Sequence, residues 1–198
     1  MLTSSDIIIL AAGSSGRLGR PKQLLPYKGK TLLQYLIDEA KASTANSVTI
    51  ILGANAEMIQ AELQRENIFI SINHDWKEGM ASSVRCGINS LKQTNAGMDA
   101  VILMMCDQPF VTTGLLNDLM TLHQESGKPI VTCSFEKTSG PPALFHKSIF
   151  PELLQLTGDK GARKIVEAHE AELVTIPFPE GNIDIDTAAD YEALQRKQ

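Results

Sequence analysis

The sequence predicts an α/β fold in three layers, helix on sheet on helix, with a mostly parallel sheet. Three observations predict it. Apolar, β-branched runs alternate along the chain with segments of helical period. The first run, residues 7–12, is apolar at every position, as a strand covered on both faces requires. It stops at a loop rich in glycine, and ligands of such sheets sit beyond the carboxyl ends of their strands.

The elements follow in order. Residues 7–12 form the first strand, and residues 13–22 the loop. Pro26 and Gly29 mark a turn. Thr31 and Gln34 then read as a capping box that opens a helix with Leu33, Leu36, Ile37 and Ala40 on its buried face. Residues 47–52 are the second strand, 56–65 the second helix and 68–72 the third strand. A helix starts near Ser82 and Ser83 and buries Val84, Ile88 and Leu91, with plain N-capping as the alternative role for Ser82. Residues 101–105 are the fourth strand, 112–125 a helix and 129–134 the fifth strand. Pro141 and Pro142 assign residues 140–145 to an edge or crossing strand. Helices are expected over 149–156, 162–169 and 187–196, and a strand over 173–176.

Bulk composition bounds the function. A chain of 198 residues, 43% hydrophobic and 21% charged, suits a single globular domain over 1–198. A net charge of −5 argues against a nucleic-acid partner, but not against small anions held by local cations. No apolar run reaches membrane length, and residues 1–5 lack a secretory pattern, so a cytoplasmic location with no membrane partner is expected. Cys86, Cys106 and Cys133 form no C-x-x-C pair and read as reduced core residues. The four histidines lack metal-binding spacing, and His123 and His169 read as surface residues late in helices. Trp76 reads as a packing anchor.

The chemistry concentrates beside the first strand. Gly13, Gly16 and Gly19 permit unusual backbone and close approach of a ligand, and Arg17, Arg20 and Lys22 add positive charge. The P-loop pattern fails because Lys22 precedes Gln23, and the dinucleotide fingerprint fails because the glycines fall at every third position. Asp107 directly follows the fourth strand. A lone buried carboxylate is costly, and Mg²⁺ would balance it; a helix cap for the next segment is the alternative.

These residues resemble a known family. Leu10-Ala11-Ala12-Gly13, Ser15, Arg17-Leu18-Gly19 and Lys22 look like the nucleotide loop of Rossmann-like nucleotidyltransferases. Further matches lie at Gly19-Arg20-Pro21-Lys22-Gln23-Leu24-Leu25-Pro26, Trp76 to Arg85, Asp107-Gln108-Pro109, Gly158 to Arg163 and Asp184 to Thr187. With these the chain resembles the molybdenum cofactor cytidylyltransferase type of the MobA-like NTP transferases. The resemblance implies one nucleotidyltransferase domain that transfers CMP from CTP to the molybdopterin-bound molybdenum cofactor and releases pyrophosphate. It also implies Mg²⁺ and delivery of the product to a molybdenum hydroxylase. Carried over by motif, Leu10, Ala11, Ala12 and Gly13 hold the nucleotide, and Arg17 and Lys22 meet its phosphates. Gly79 and Ser83 lie beside the base or ribose, Asp107 carries the metal, and Asp186 is a second metal ligand. Ala81 stands where the family usually has glycine, and Leu18 where methionine is common. Alternatives are a GTP-dependent transferase of the same cofactor, another small-molecule cytidylyltransferase, and a non-enzymatic carrier of the cofactor.

Overall fold

A computed structural model describes residues 4–63, 68–95, 97–136 and 138–197. Its organising strand, β1 (Ser5–Ala11), is buried at every position. Successive side chains of a strand point to opposite faces. Ile7, Ile9 and Ala11 accordingly enter one core, and Ile8 and Leu10 the other. The three-layer architecture follows from that division.

The remaining strands are β2 (Pro26–Tyr27), β3 (Lys30–Thr31), β4 (Val48–Leu52), β5 (Phe69–Ile72), β6 (Ala100–Met105), β7 (Ile130–Phe135), β8 (Thr138–His146) and β9 (Leu173–Pro177). Seven of them form one sheet in the order β5-β4-β1-β6-β8-β7-β9, while β2 and β3 make a small hairpin. Lys28 and Gly29, both at positive φ, turn that hairpin. β1 lies parallel to β4 and β6, with Ile9 opposite Ile50 and Met104. β8 alone among the seven runs antiparallel to its neighbours.

The helices are α1 (Leu32–Ala42), α2 (Ala56–Leu63), α3 (Met80–Thr94), α4 (Thr113–Ser126), α5 (Phe150–Leu153), α6 (Arg163–Ala168) and α7 (Ala188–Gln195). Leu33 and Leu36 of α1, Ile59 of α2, Leu116 and Leu119 of α4 and Tyr191 of α7 cover the Ile7–Ile9 face. Val84 and Ile88 of α3, Leu153 of α5 and Ile165 of α6 cover the Ile8–Leu10 face. α3 sits close to the sheet because residue 87 is glycine: a Cβ there would lie 2.8 Å from Ile8 Cδ1.

Four expectations need correction. β8 is a central strand despite Pro141 and Pro142. Its pairing with β6 involves residues 143–146, and its pairing with β7 skips both prolines where the register shifts at Thr132 and Cys133, so neither needs an N–H in the ladder. His123 is buried, not on the surface; it continues the α4 stripe of Leu116, Leu119 and Met120, and its ring Nδ1 lies 2.8 Å from the Lys128 carbonyl oxygen. The α1 capping box is half made: Thr31 Oγ1 accepts the Gln34 N–H, but the Gln34 side chain donates to Asp38. Cys86 is half-buried rather than a core residue, whereas Cys106 and Cys133 are buried. The second helix ends at Leu63, and its expected last residues, 64 and 65, lie outside the described residues.

Candidate active site

The carboxyl ends of β1 and β6, the start of β8 and the segment after β9 converge on one edge of the sheet. Between them lies a cleft of about 660 Å³, the size of a small-molecule site. Leu10, Leu103, Met105 and Phe145 give it an apolar floor. Arg17, Asp107, Gln108, Lys160, Arg163, Asp184 and Asp186 give it a polar wall.

The loop after β1 is held by its own bonds. Ser15 takes positive φ, its carbonyl accepts the Leu18 and Gly19 N–H groups, and its Oγ accepts the Lys22 N–H at 3.0 Å. Of the three glycines only Gly19 uses the left-handed region, at φ +74°. Gly13 and Gly16 keep ordinary backbone, because Ser15 makes the sharp turn instead. A Cβ on Gly13 would meet nothing within 4 Å, so the space beside it is open.

The loop delivers Lys22 to the centre of the site. Its Nζ lies 2.9 Å from Asp107 Oδ2 and 2.7 Å from Asp186 Oδ1. Arg17 lies 2.8 Å from the other oxygen of Asp186. Burial works against the Lys22 ammonium, but the Asp107 and Asp186 carboxylates outweigh it and hold its pKa above the usual lysine value. The hydrogen bond from Lys22, with the charges of Lys22 and Arg17, holds Asp186 below the usual carboxylate range against its partial burial. Asp184 sits in the opposite situation. Burial, then the Asp107 and Asp186 charges, push it up to about 6. It keeps solvent contact at the cleft wall, and screening there trims the effect.

The alternative helix-cap role of Asp107 is not seen: Thr112 caps α4, its Oγ1 accepting the Leu115 N–H. Asp107 instead accepts from Lys22, and its carbonyl accepts the Ile185 N–H at 3.0 Å, which brings the 184–186 segment alongside. Thr187 then caps α7 in a reciprocal box with Asp190, and Asp190 also accepts the Asp186 N–H. The position of Asp186 is thus fixed on both sides.

Ser83 and Gly79, expected beside the base or ribose, make close contacts within the protein. Ser83 is buried, and its Oγ and that of Ser82 both accept from Asn73 Nδ2. Ser82 does not cap α3; its hydroxyl donates to the Gly79 carbonyl. The turn at Gly158 and Asp159 closes over Gly79, where a Cβ would come within 2.8 Å of the Gly158 carbonyl oxygen. That same oxygen accepts the Ala81 N–H at 3.0 Å, so the helix start is already partnered there. Trp76 is half-buried in the 3-10 turn before Gly79, and Lys77 Nζ lies 5.6 Å from its ring centre.

Of the residues expected at the site, the structure places Leu10, Arg17, Asp107 and Asp186 along the cleft, with Lys22 beside Asp107 and Asp186. Asp184 was legible only as part of the Asp184-to-Thr187 match and had no role of its own, although residues two apart in an extended segment face the same side, so Asp186 implicates it. Gln23, named within a motif but given no role, is fully buried and donates to the Ala11 and Gly13 carbonyls.

The chain is 31% identical over 165 residues to nicotine blue oxidoreductase of Paenarthrobacter nicotinovorans, covering 79% of this chain and 78% of that one. It is 29% identical to the purine catabolism protein PucB of Bacillus subtilis (strain 168), over 96% and 95% of the two chains. It is 23% identical to the molybdenum cofactor cytidylyltransferase of Escherichia coli (strain K12), again over 96% and 95%. Among solved structures, Rv0371c of Mycobacterium tuberculosis H37Rv superposes with a TM-score of 0.86 at 30% identity, covering 99% of each chain. Its complex with manganese gives 0.82 at 27%, over 99% of this chain and 100% of that one. The model of the MobA-like NTP transferase domain matches residues 7–173, and the chain belongs to that family of nucleotidyltransferases.

Proposed function

We propose that this protein transfers CMP from CTP to the molybdopterin-bound molybdenum cofactor with release of pyrophosphate, and supplies the resulting dinucleotide cofactor to a molybdenum hydroxylase. The observation that carries the reading is the Lys22 ammonium held between Asp107 and Asp186 beside an open glycine loop. The choice of CTP and of the molybdenum cofactor rests on the combined motifs and on likeness to the E. coli enzyme along nearly the whole chain.

The donor set suits a hard divalent cation. Asp107, Asp184 and Asp186 place three carboxylates near two cations, and burial, with repulsion from the other two, raises Asp184. Mg²⁺ prefers one or two carboxylates, completing its shell with water and substrate phosphates. Asp107 and Asp186 would hold it, and when bound it supplies neutralisation of phosphate charge. Manganese in the Rv0371c complex supports a divalent ion in this family.

The transfer needs no protein nucleophile. A phosphate monoester carries close to two charges at neutral pH, so an acceptor oxygen is already deprotonated. That oxygen attacks the α-phosphorus, the bond to the bridging oxygen breaks, and pyrophosphate leaves with the electron pair. Residues 11–13 would bind the nucleotide through main-chain N–H groups. Lys22 would orient the α-phosphate and Arg17, 72% exposed at its side chain, would reach the departing phosphates. Positioning and charge account for such reactions.

Pyrophosphate release measured with CTP or GTP, with and without the molybdenum cofactor, tests the proposal. Release with CTP only when the cofactor is present is expected. Release with GTP instead assigns the guanylyl reaction, and no release with either leaves the carrier role.

A further inference from the structure

The carbonyl groups at the end of β1 are all claimed by the protein. The Leu10 oxygen accepts from the Cys106 N–H at 3.2 Å, and the Ala12 oxygen from the Ala54 N–H at 3.0 Å. The two between and beyond, Ala11 and Gly13, both accept from Gln23 Nε2, at 2.7 and 3.1 Å. Four successive peptides therefore turn their negative ends into the protein. An anion that approaches this stretch meets no carbonyl dipole of theirs, and the peptide planes are fixed before it arrives.

Gln23 is the one side chain in this set and serves two of the four positions. Its amide orientation is unambiguous, because reversing it would set an oxygen against two carbonyl oxygens. Its Oε1 is buried without a partner among the described residues, so the side chain is anchored through its donors. Gln23 also lies in the 3-10 turn Lys22–Leu24, next to Lys22, whose N–H is tied to Ser15. One buried amide thereby joins the start of the loop to its finish and sets both the open backbone near Gly13 and the root of Lys22.

We propose that Gln23 is a positioning residue for the phosphate site: it holds the loop in the conformation that accepts a triphosphate and touches no ligand itself. This rests on the reading that the loop binds nucleotide phosphates. The test uses the isosteric, donor-free Gln23→Met variant and calorimetric titration with CTP and MgCl₂, against cytidine as the phosphate-free control. Affinity for CTP falls at least tenfold, while affinity for cytidine stays within twofold. A general structural defect would lower both, and equal CTP affinity in variant and wild type overturns the proposal. A wild-type protein that binds neither CTP nor GTP overturns the phosphate-loop reading instead, and the proposal with it. If the variant does not fold, the wild type decides by NMR. The Gln23 side-chain amide protons then exchange slowly and shift on addition of CTP and MgCl₂; fast exchange, or no shift at saturation, overturns the proposal.

Discussion

Lys22 shows how much of the site depends on one charge. Its ammonium is shared by carboxylates 85 and 164 positions away, so it neutralises the site and ties its parts together. Removing one contact to developing charge commonly costs about 2.7–4 kcal/mol in the barrier. Lys22→Ala and Asp107→Ala should each lower turnover by about a hundredfold or more, on that basis. Steady-state pyrophosphate release measures this, with circular dichroism as the check on folding; near wild-type turnover removes the residue from the mechanism. Gly13 and Gly19 separate the two uses of glycine. Gly19→Ala is strained by its φ of +74° and should lose about 1 kcal/mol of stability in denaturant titration. Gly13→Ala has room and ordinary φ, so stability should hold while nucleotide affinity falls. His169 provides a pH signature away from the cleft. Hydrogen bonds to Glu172 and Glu152 raise its pKa above the ordinary 6.5. The protonated ring therefore adds stability that is fully present below pH 6.5 and lost as pH rises through the higher folded value. NMR titration should show the raised midpoint, and Glu172→Gln should lower it.

At the scale of elements, what was legible is what periodicity and punctuation record. Residues 7–12 read as a doubly buried strand, and β1 is one. The stripe Leu33, Leu36, Ile37 and Ala40 read as a core face, and all four are buried. Less was legible wherever a polar side chain satisfies itself inside. His123 falls at the i, i+3, i+4, i+7 positions begun by Leu116, yet its ring is accommodated through a carbonyl in the next loop, which no local pattern shows. Gln23 is hidden for the same reason: its partners are backbone atoms ten and twelve positions earlier. The two prolines misled because a register gap, invisible in sequence, excuses them from pairing. Two substitutions test the packing. Gly87→Val pushes a side chain onto Ile8 and should destabilise the protein by about 1–3 kcal/mol, as overpacking does, seen as a lower denaturation midpoint. Thr187→Ala removes the α7 cap at a cost of about 1 kcal/mol. It also frees the backbone next to Asp186, so turnover should fall with stability; unchanged turnover would detach α7 from the site.

For the molecule as a whole, a net charge of −5 coexists with a cleft edged by Arg17, Lys22, Lys160 and Arg163. Local cations in a cleft can attract a small anion even where the net charge is negative. No helix among the described residues is long and apolar enough to cross a membrane. Binding linked to folding gives a test at this scale. A nucleotide at a hundred times its dissociation constant adds about 2.7 kcal/mol. In a domain of this size that raises the melting temperature by roughly 5–10 °C. Thermal unfolding with CTP and MgCl₂ should show that rise, and no shift with any nucleoside triphosphate would argue against the loop as a triphosphate site.

The ion pair between Lys22 and Asp186 also bears on how the protein is made. Synthesis runs from the amino terminus, so Lys22 leaves the ribosome 164 residues before Asp186. Throughout that interval the nascent chain can form β1, the loop and Asp107, but not the complete charge arrangement. The ion pairs that Asp186 makes with Lys22 and Arg17 can therefore form only after residue 186 has been synthesised.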